Sequence, residues 1–158
     1  MPGLSALAFA LVAAGVADEG SAVADELLAH DKLDSATPHF ASPWFDLSWA
    51  LVDLGRARDL AAAVTSCAVE TRWLDAAGAT ADGDFVRAAA VYADAGNVPA
   101  EAYTRLRAAR AALPDAGLEN AIAFFRKAGA TAYLAEAEDL ATGSREEPAR
   151  ARSTRRAP

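Results

Sequence analysis

His30 and His39 stand nine residues apart in the stretch HDKLDSATPHFAS, with Asp31 and Asp34 between them. Imidazole and carboxylate groups are metal ligands, so the stretch raises the question of a metal centre. The spacing follows no established ligand pattern, and a polar linker commonly carries histidine. Asp82-Gly83-Asp84 could open a calcium loop, but the further loop ligands do not follow and the glycine has a turn to make. Cys67 lies beside Val64 in an apolar helix and reads as a small core residue rather than a nucleophile. A phosphate-binding loop of the form Gly-x4-Gly-Lys-Ser/Thr is absent, and no Ser/His/Asp trio can be inferred. The carboxylates Asp18-Glu19, Asp25-Glu26 and Glu136/Glu138-Asp139 fall near helix starts or on outer faces, where they read as solvated charge. The expectation is a non-enzymatic protein with no catalytic, cofactor-binding or metal-ligating residues and no cofactor. The alternative is an all-α enzyme or metal-binding protein that uses the His30/His39 linker; bound metal lost to a chelator would favour it.

What the chain lacks in chemistry it makes up in helix signals. Its 158 residues suit one domain with a real core, and 53% are hydrophobic. Much of that is alanine, the best helix former, which lets helix axes approach closely. No stretch alternates β-branched and polar residues as a strand would. The net charge of −7 is uneven: Arg145, Arg150, Arg152, Arg155 and Arg156 face only Glu146 and Glu147 in the tail, leaving the body at −10. An acidic body argues against a nucleic-acid surface. A nucleic-acid or transcription-associated role through the Arg-rich tail is a further alternative, although without interleaved aromatics a solubilising tail is the plainer reading. The single cysteine fits a reducing compartment, hence a cytoplasmic protein. MPGLSALAFALVAAGVADEG has the apolar stretch and small-x-small site of a signal peptide, but lacks the preceding Lys or Arg. No apolar run reaches the ~18 residues of a membrane span.

Helix signals come in pairs. Helices are expected over 4–14 and 18–29, 42–54 and 57–68, 71–79 and 84–95, 99–113 and 118–128, and 131–140. Ser42-Pro43 is a good start, Gly96 and Pro99 punctuate the following helices, Pro114 breaks the next, and Thr131 caps the last. Glu101 and Arg105 form an i,i+4 pair. From Thr142 to Pro158 the chain lacks apolar anchors and is expected to be disordered, with residues 1–141 forming the folded domain.

Superposing Gly15 on Gly55 sets a register. Leu4, Leu7, Leu11, Gly15, Ala17 and Gly20 then fall on Trp44, Leu47, Leu51, Gly55, Ala57 and Leu60, and Gly83 brings Phe85 and Ala88 onto the last two places. Large residues near the start, Gly at the turn and mostly small residues at the crossing resemble the tetratricopeptide repeat family. Spacings of 40 and 28 between the three glycines, against a regular ~34, make these degenerate repeats. The fold class implied is an all-α, tetratricopeptide-like, right-handed stack of about four helix pairs.

A second resemblance covers about Ser42 to Leu140. It rests on Gly83-Asp84-Phe85, Ala88-Ala89, Tyr92-Ala93, Glu101-Ala102-Tyr103, Arg105-Leu106-Arg107-Ala108-Ala109, Ala123-Phe124-Phe125-Arg126 and Gly129-Ala130-Thr131-Ala132-Tyr133. These words are similar to the C-terminal repeats of large actinobacterial-type signalling proteins. In those, a class III adenylate/guanylate cyclase or transcriptional regulator is joined to an AAA/STAND-type ATPase. The chain departs from them between Leu113 and Leu118, where PDAG replaces a longer turn and an extra helix. The resemblance implies a protein-interaction or regulatory module of a signal-transduction protein, with a cyclase or ATPase module as partner.

In tetratricopeptide arrays the first helices of the pairs line the concave side. By the register, Phe9 and Trp49 share one inward place, and Phe45 and Trp73 another. An aromatic row could grip a peptide, with Arg72, Arg107 and Arg110 adding charge selectivity. The same rings equally suit packing in an alanine-rich core, and packing is the weightier reading. Phe9, Phe45, Trp49, Trp73, Arg72 and Arg110 are therefore the candidate partner-binding residues. Leu7, Phe9 and Leu11 begin the first repeat without a polar cap, an expectation of a longer protein or of self-association.

Overall fold

A computed structural model describes residues 2–29, 42–113 and 116–154. The described residues are all-helical, with no strand among them. The helices are α1 (Pro2–Ala13), α2 (Ala17–Leu28), α3 (Ser42–Asp53), α4 (Ala57–Ser66), α5 (Arg72–Ala81), α6 (Phe85–Asp94), α7 (Val98–Arg110), α8 (Leu118–Ala128) and α9 (Thr131–Thr154). His30, His39 and the aspartates between them lie outside the described residues.

Local chemistry accounts for many of these ends. Thr71 caps α5 by accepting from Leu74 N at 3.3 Å, Asp84 caps α6 from Arg87 N at 3.0 Å, and Asn97 caps α7 from Ala100 N at 3.3 Å. Asp84 thus serves a helix start, the ordinary use of an aspartate beside a turn glycine. Thr131 is the first residue of α9 rather than its preceding cap.

The turns inside the pairs repeat one hydrogen-bond pattern. At the end of α5, Gly83 N donates to Thr80 O and Asp84 N to Ala79 O (3.1 and 2.9 Å). The same two bonds close α1 at Gly15 and Val16, and α3 at Gly55 and Arg56. This is the Schellman closure, which needs a left-handed residue. The end of α7 makes it too: Ala112 N donates to Ala109 O and Leu113 N to Ala108 O (2.9 and 3.0 Å). Ala112 is accordingly left-handed, with φ +52°. The fourth pair therefore has a turn of the same kind but an alanine at its apex. That is why α7 ends at Arg110, before the expected Leu113.

Consecutive helices pack together along the chain, and alternate ones pack as well: α1 on α3, α3 on α5, and α7 on α9. A stack of helix pairs is compatible with this order of contacts. One core, from α2 to α5, holds Leu27, Trp44, Leu47, Leu51, Leu60 and Leu74. Another, from α7 to α9, holds Leu106, Ala121, Phe125 and Ala137. Ala76, Tyr92 and Ala100 lie between them, with Phe45 and Trp73 packed alongside. Cys67 packs against the first core, and its thiol donates to Ala63 O at 3.4 Å.

Gly20, Leu60 and Ala88, which share one place in the register, are all buried. A Cβ on Gly20 would stand 2.6 Å from Val12 Cγ2, so α2 crosses α1 where only glycine fits without a shift. Leu7 departs from its counterpart Leu47. Leu47 is buried against α2, whereas Leu7 is 45% exposed because no described helix lies over that side of α1.

The stretch expected to be a structureless tail differs in the structure, since α9 continues from Thr131 to Thr154. Alanine, glutamate and arginine, all good helix formers, are abundant there.

Candidate functional site

The odd-numbered helices each contribute aromatic rings, and these meet. Tyr103 on α7 is the hub. It contacts Phe9 of α1, Phe45 and Trp49 of α3, and Tyr133 of α9, with ring centroids 5.5–5.8 Å apart and planes nearly perpendicular. Phe45 also meets Tyr92 (5.7 Å), and Trp73 of α5 stacks on Tyr92 (6.4 Å). Tyr133 continues the set to Phe125 (5.4 Å). Edge-to-face packing sets the positive edge of one ring on the negative face of the next, adding about 0.5–1.5 kcal/mol per pair beyond burial.

Phe9, Phe45, Trp49 and Trp73 thus belong to one connected cluster, but not to one exposed row. Trp49 is fully buried, between Tyr103 and Phe85, which excludes it from the wall of an open groove. Its Nε1 is buried without a hydrogen-bond partner, so ring area rather than polar anchoring holds it there. Phe9, Phe45 and Trp73 are half-buried.

The arginines are engaged within the chain. The Arg107 guanidinium lies 4.4 Å from the Trp49 ring centroid and 5.9 Å from that of Tyr103. It binds the Asp53 carboxylate through both terminal nitrogens, one at 2.9 Å, and donates to the Tyr103 hydroxyl at 3.2 Å. Burial works against its charge, but the bonds to Asp53 and Tyr103 outweigh it and hold its pKa above the ordinary value. Burial also raises the pKa of the Tyr103 hydroxyl, so that it is a neutral phenol. Arg110 forms a two-pronged pair with Glu136 of α9, one prong at 2.6 Å. Arg72 is exposed and donates to Asp94 O at 3.3 Å.

Beside the hub is a cavity of about 410 Å³. Phe9, Phe45, Tyr103, Phe125 and Tyr133 wall it, and among the described residues Asp46 is the charged one in its lining. Asp46 accepts from Ser5 Oγ at 3.5 Å, a contact between α3 and α1. Sequence reasoning missed Tyr133 and Asp46 as site residues and placed Tyr103 only on a helix face. Tyr133 ends a word already noted, Gly129-Ala130-Thr131-Ala132-Tyr133. Nothing in the spacing relates it to Phe9.

Among the described residues no group of three or more His, Cys, Asp or Glu side chains could hold a metal ion. No helix among them is long and apolar enough to cross a membrane. No protein-family model, curated protein or solved structure matches this chain.

Proposed function

We propose that the chain is a non-enzymatic, tetratricopeptide-like module that binds a protein partner in signal transduction. The observation that carries this is the convergence of rings from α1, α3, α5, α7 and α9 on one cluster whose members Phe9, Phe45 and Tyr133 remain partly accessible. Aromatic anchors around a concave site are what partner recognition uses, because they bury large area at little conformational cost. The sequence words shared with cyclase and AAA/STAND-type ATPase regulators support a partner of that class, which would place the protein in the cytoplasm. The exposed Leu7 side of α1 suits self-association as a second contact.

The experiment is a binding titration of the chain against purified cyclase and ATPase modules of that architecture. A partner should bind the parent chain and lose at least tenfold in affinity to the Phe9→Ala/Tyr133→Ala double variant, with helical circular dichroism retained. A well-folded double variant that binds as the parent does would remove the cluster from the account. Failure of every such module to bind would remove the partner class.

A further inference from the structure

We infer that two copies of this chain meet through the outward side of α1, across a two-fold axis at Leu7. In the register that superposes Gly15 on Gly55, Gly3, Leu7 and Ala10 of α1 share places with Pro43, Leu47 and Ala50 of α3. The three residues on α3 are buried, and the three on α1 are exposed, Leu7 by 45%. A Cβ added at Gly3 would meet no atom within 4 Å. One i, i+4, i+7 stripe is thus covered on α3 and open on α1. On α3, Leu47 shares a core with Ala24 and Leu27 of α2, and α1 packs on the same helix.

A helix that is apolar on every side belongs in an interior. The sequence of α1, PGLSALAFALVA, holds no Asp, Glu, Lys or Arg, and its Ser5 is buried. Ala6 and Ala13 flank the open stripe where α3 has Asp46 and Asp53. The outward side of α1 therefore carries apolar residues at its centre and at its flanks.

Charge and shape favour a second copy as the occupant. The chain has a net charge of −7, and Asp18, Glu19 and Glu26 are exposed on the neighbouring α2. Copies that approach through α2 bring like charges together, whereas α1 can face α1 without that cost. Leu7 is large and Gly3, Ala6 and Ala10 are small. Each Leu7 can rest over the small residues of the facing helix, a self-complementary knob-and-hole fit. The contact also continues one that the chain already uses, since first helices of pairs pack on one another at α1–α3 and α3–α5. A helix of 12 residues spans about 18 Å. Two such helices bury less than the about 1,200 Å² of a stable interface, so the dimer is weak and reversible. The inference rests on the self-association reading given above and is independent of the partner bound at the aromatic cluster.

Sedimentation equilibrium of the full chain tests it. Monomer and dimer should interconvert with a Kd between about 10 μM and 1 mM. Leu7→Glu should raise that Kd at least tenfold, with helical circular dichroism retained because the side chain is already half outside. Should Leu7→Glu fail to fold, Ala10→Glu on the same exposed side serves instead. Val69→Glu, at a residue 55% exposed between α4 and α5, should leave the Kd unchanged. Ala10→Cys in a Cys67→Ser background should give a disulfide-linked dimer under mild oxidation, since a two-fold axis at Leu7 brings the same residue of both copies together. A chain that stays monomeric at about 1 mM would overturn the inference and the self-association reading together. A dimer indifferent to Leu7→Glu, or equally weakened by Val69→Glu, would overturn the inference alone. So would loss of the dimer in Leu7→Glu without cross-linking through Ala10→Cys, which would place α1 against a different surface of the second copy.

Discussion

Phe9 of α1 and Tyr103 of α7 meet edge to face, with centroids 5.8 Å apart and planes at 82°. Helix α1 thus touches α7 through side chains that meet at the aromatic hub. Tyr103 makes three further ring contacts, to α3 and α9, and so ties α7 to three other helices. Tyr103→Ala should therefore cost about 3–5 kcal/mol, the scale of a large buried aromatic truncation. Tyr103→Phe should cost only about 1 kcal/mol, the worth of the hydroxyl bond to Arg107. Urea unfolding of the two variants separates ring packing from hydroxyl bonding, and equal losses would contradict the hub.

The ion pairs should differ in worth according to their exposure. Arg107 and Asp53 have side chains 11% and 30% exposed, whereas Arg126 and Glu138 are 63% and 49% exposed. A double-mutant cycle on Arg107 and Asp53 should give a coupling above about 1 kcal/mol, since the bonds are charge-assisted and partly shielded. The Arg126–Glu138 cycle should give less than about 1 kcal/mol and should vanish in high salt. A reversed order would show that burial does not set their strength.

Substitutions at the turn apices should change stability in opposite directions. Gly83 has φ +76° and its added Cβ would meet no atom within 4 Å, so any effect of substitution is conformational. Gly83→Val should lose about 1–3 kcal/mol. Ala112, left-handed at φ +52°, is the non-glycine at the equivalent turn of α7. Ala112→Gly should gain about 1 kcal/mol by relieving that conformation. Thermal melts of both variants check the pair of signs, and a destabilised Ala112→Gly would mean that the turn is not held left-handed in solution.

Acid should loosen the contact between α7 and α9. The hydrogen bond from Arg110 lowers the Glu136 pKa below the ordinary carboxyl value, against a smaller desolvation effect. A depressed folded pKa stabilises above the unfolded pKa, and that stability is lost as pH falls through the folded value. With side chains 40% and 34% exposed, the pair should contribute no more than about 1 kcal/mol. Stability against pH should therefore fall less steeply below about pH 4.5 in Glu136→Gln than in the parent. Identical acid slopes would place the linkage on other carboxylates.

Helix positions were legible because their signals are local. Turn glycines at Gly15, Gly55 and Gly83 act within a few residues of chain. The fourth pair was less legible because Ala112 takes the place that glycine marks elsewhere. The aromatic cluster was legible only in part. The register put Phe9, Phe45, Trp49 and Trp73 on the first helices of their pairs, where they are. It could not show that Trp49 is buried beneath Arg107 or that Tyr133 joins Tyr103, because those contacts join residues far apart in the sequence. Contacts of that kind leave no periodicity in the sequence. The length of α9 was missed because it lies in local propensity, without the apolar stripe by which the other helices were recognised.

The central claim is that the aromatic cluster of the odd-numbered helices recognises a protein partner. Hydrogen–deuterium exchange of the chain, alone and saturated with a purified ATPase module of the resembled architecture, tests it most directly. The account predicts slowed exchange in α1, α3, α7 and α9 around Phe9, Phe45, Tyr103 and Tyr133, with α2 and α4 unchanged. Slowed exchange confined to α2, α4, α6 and α8, or none at saturation, would contradict it.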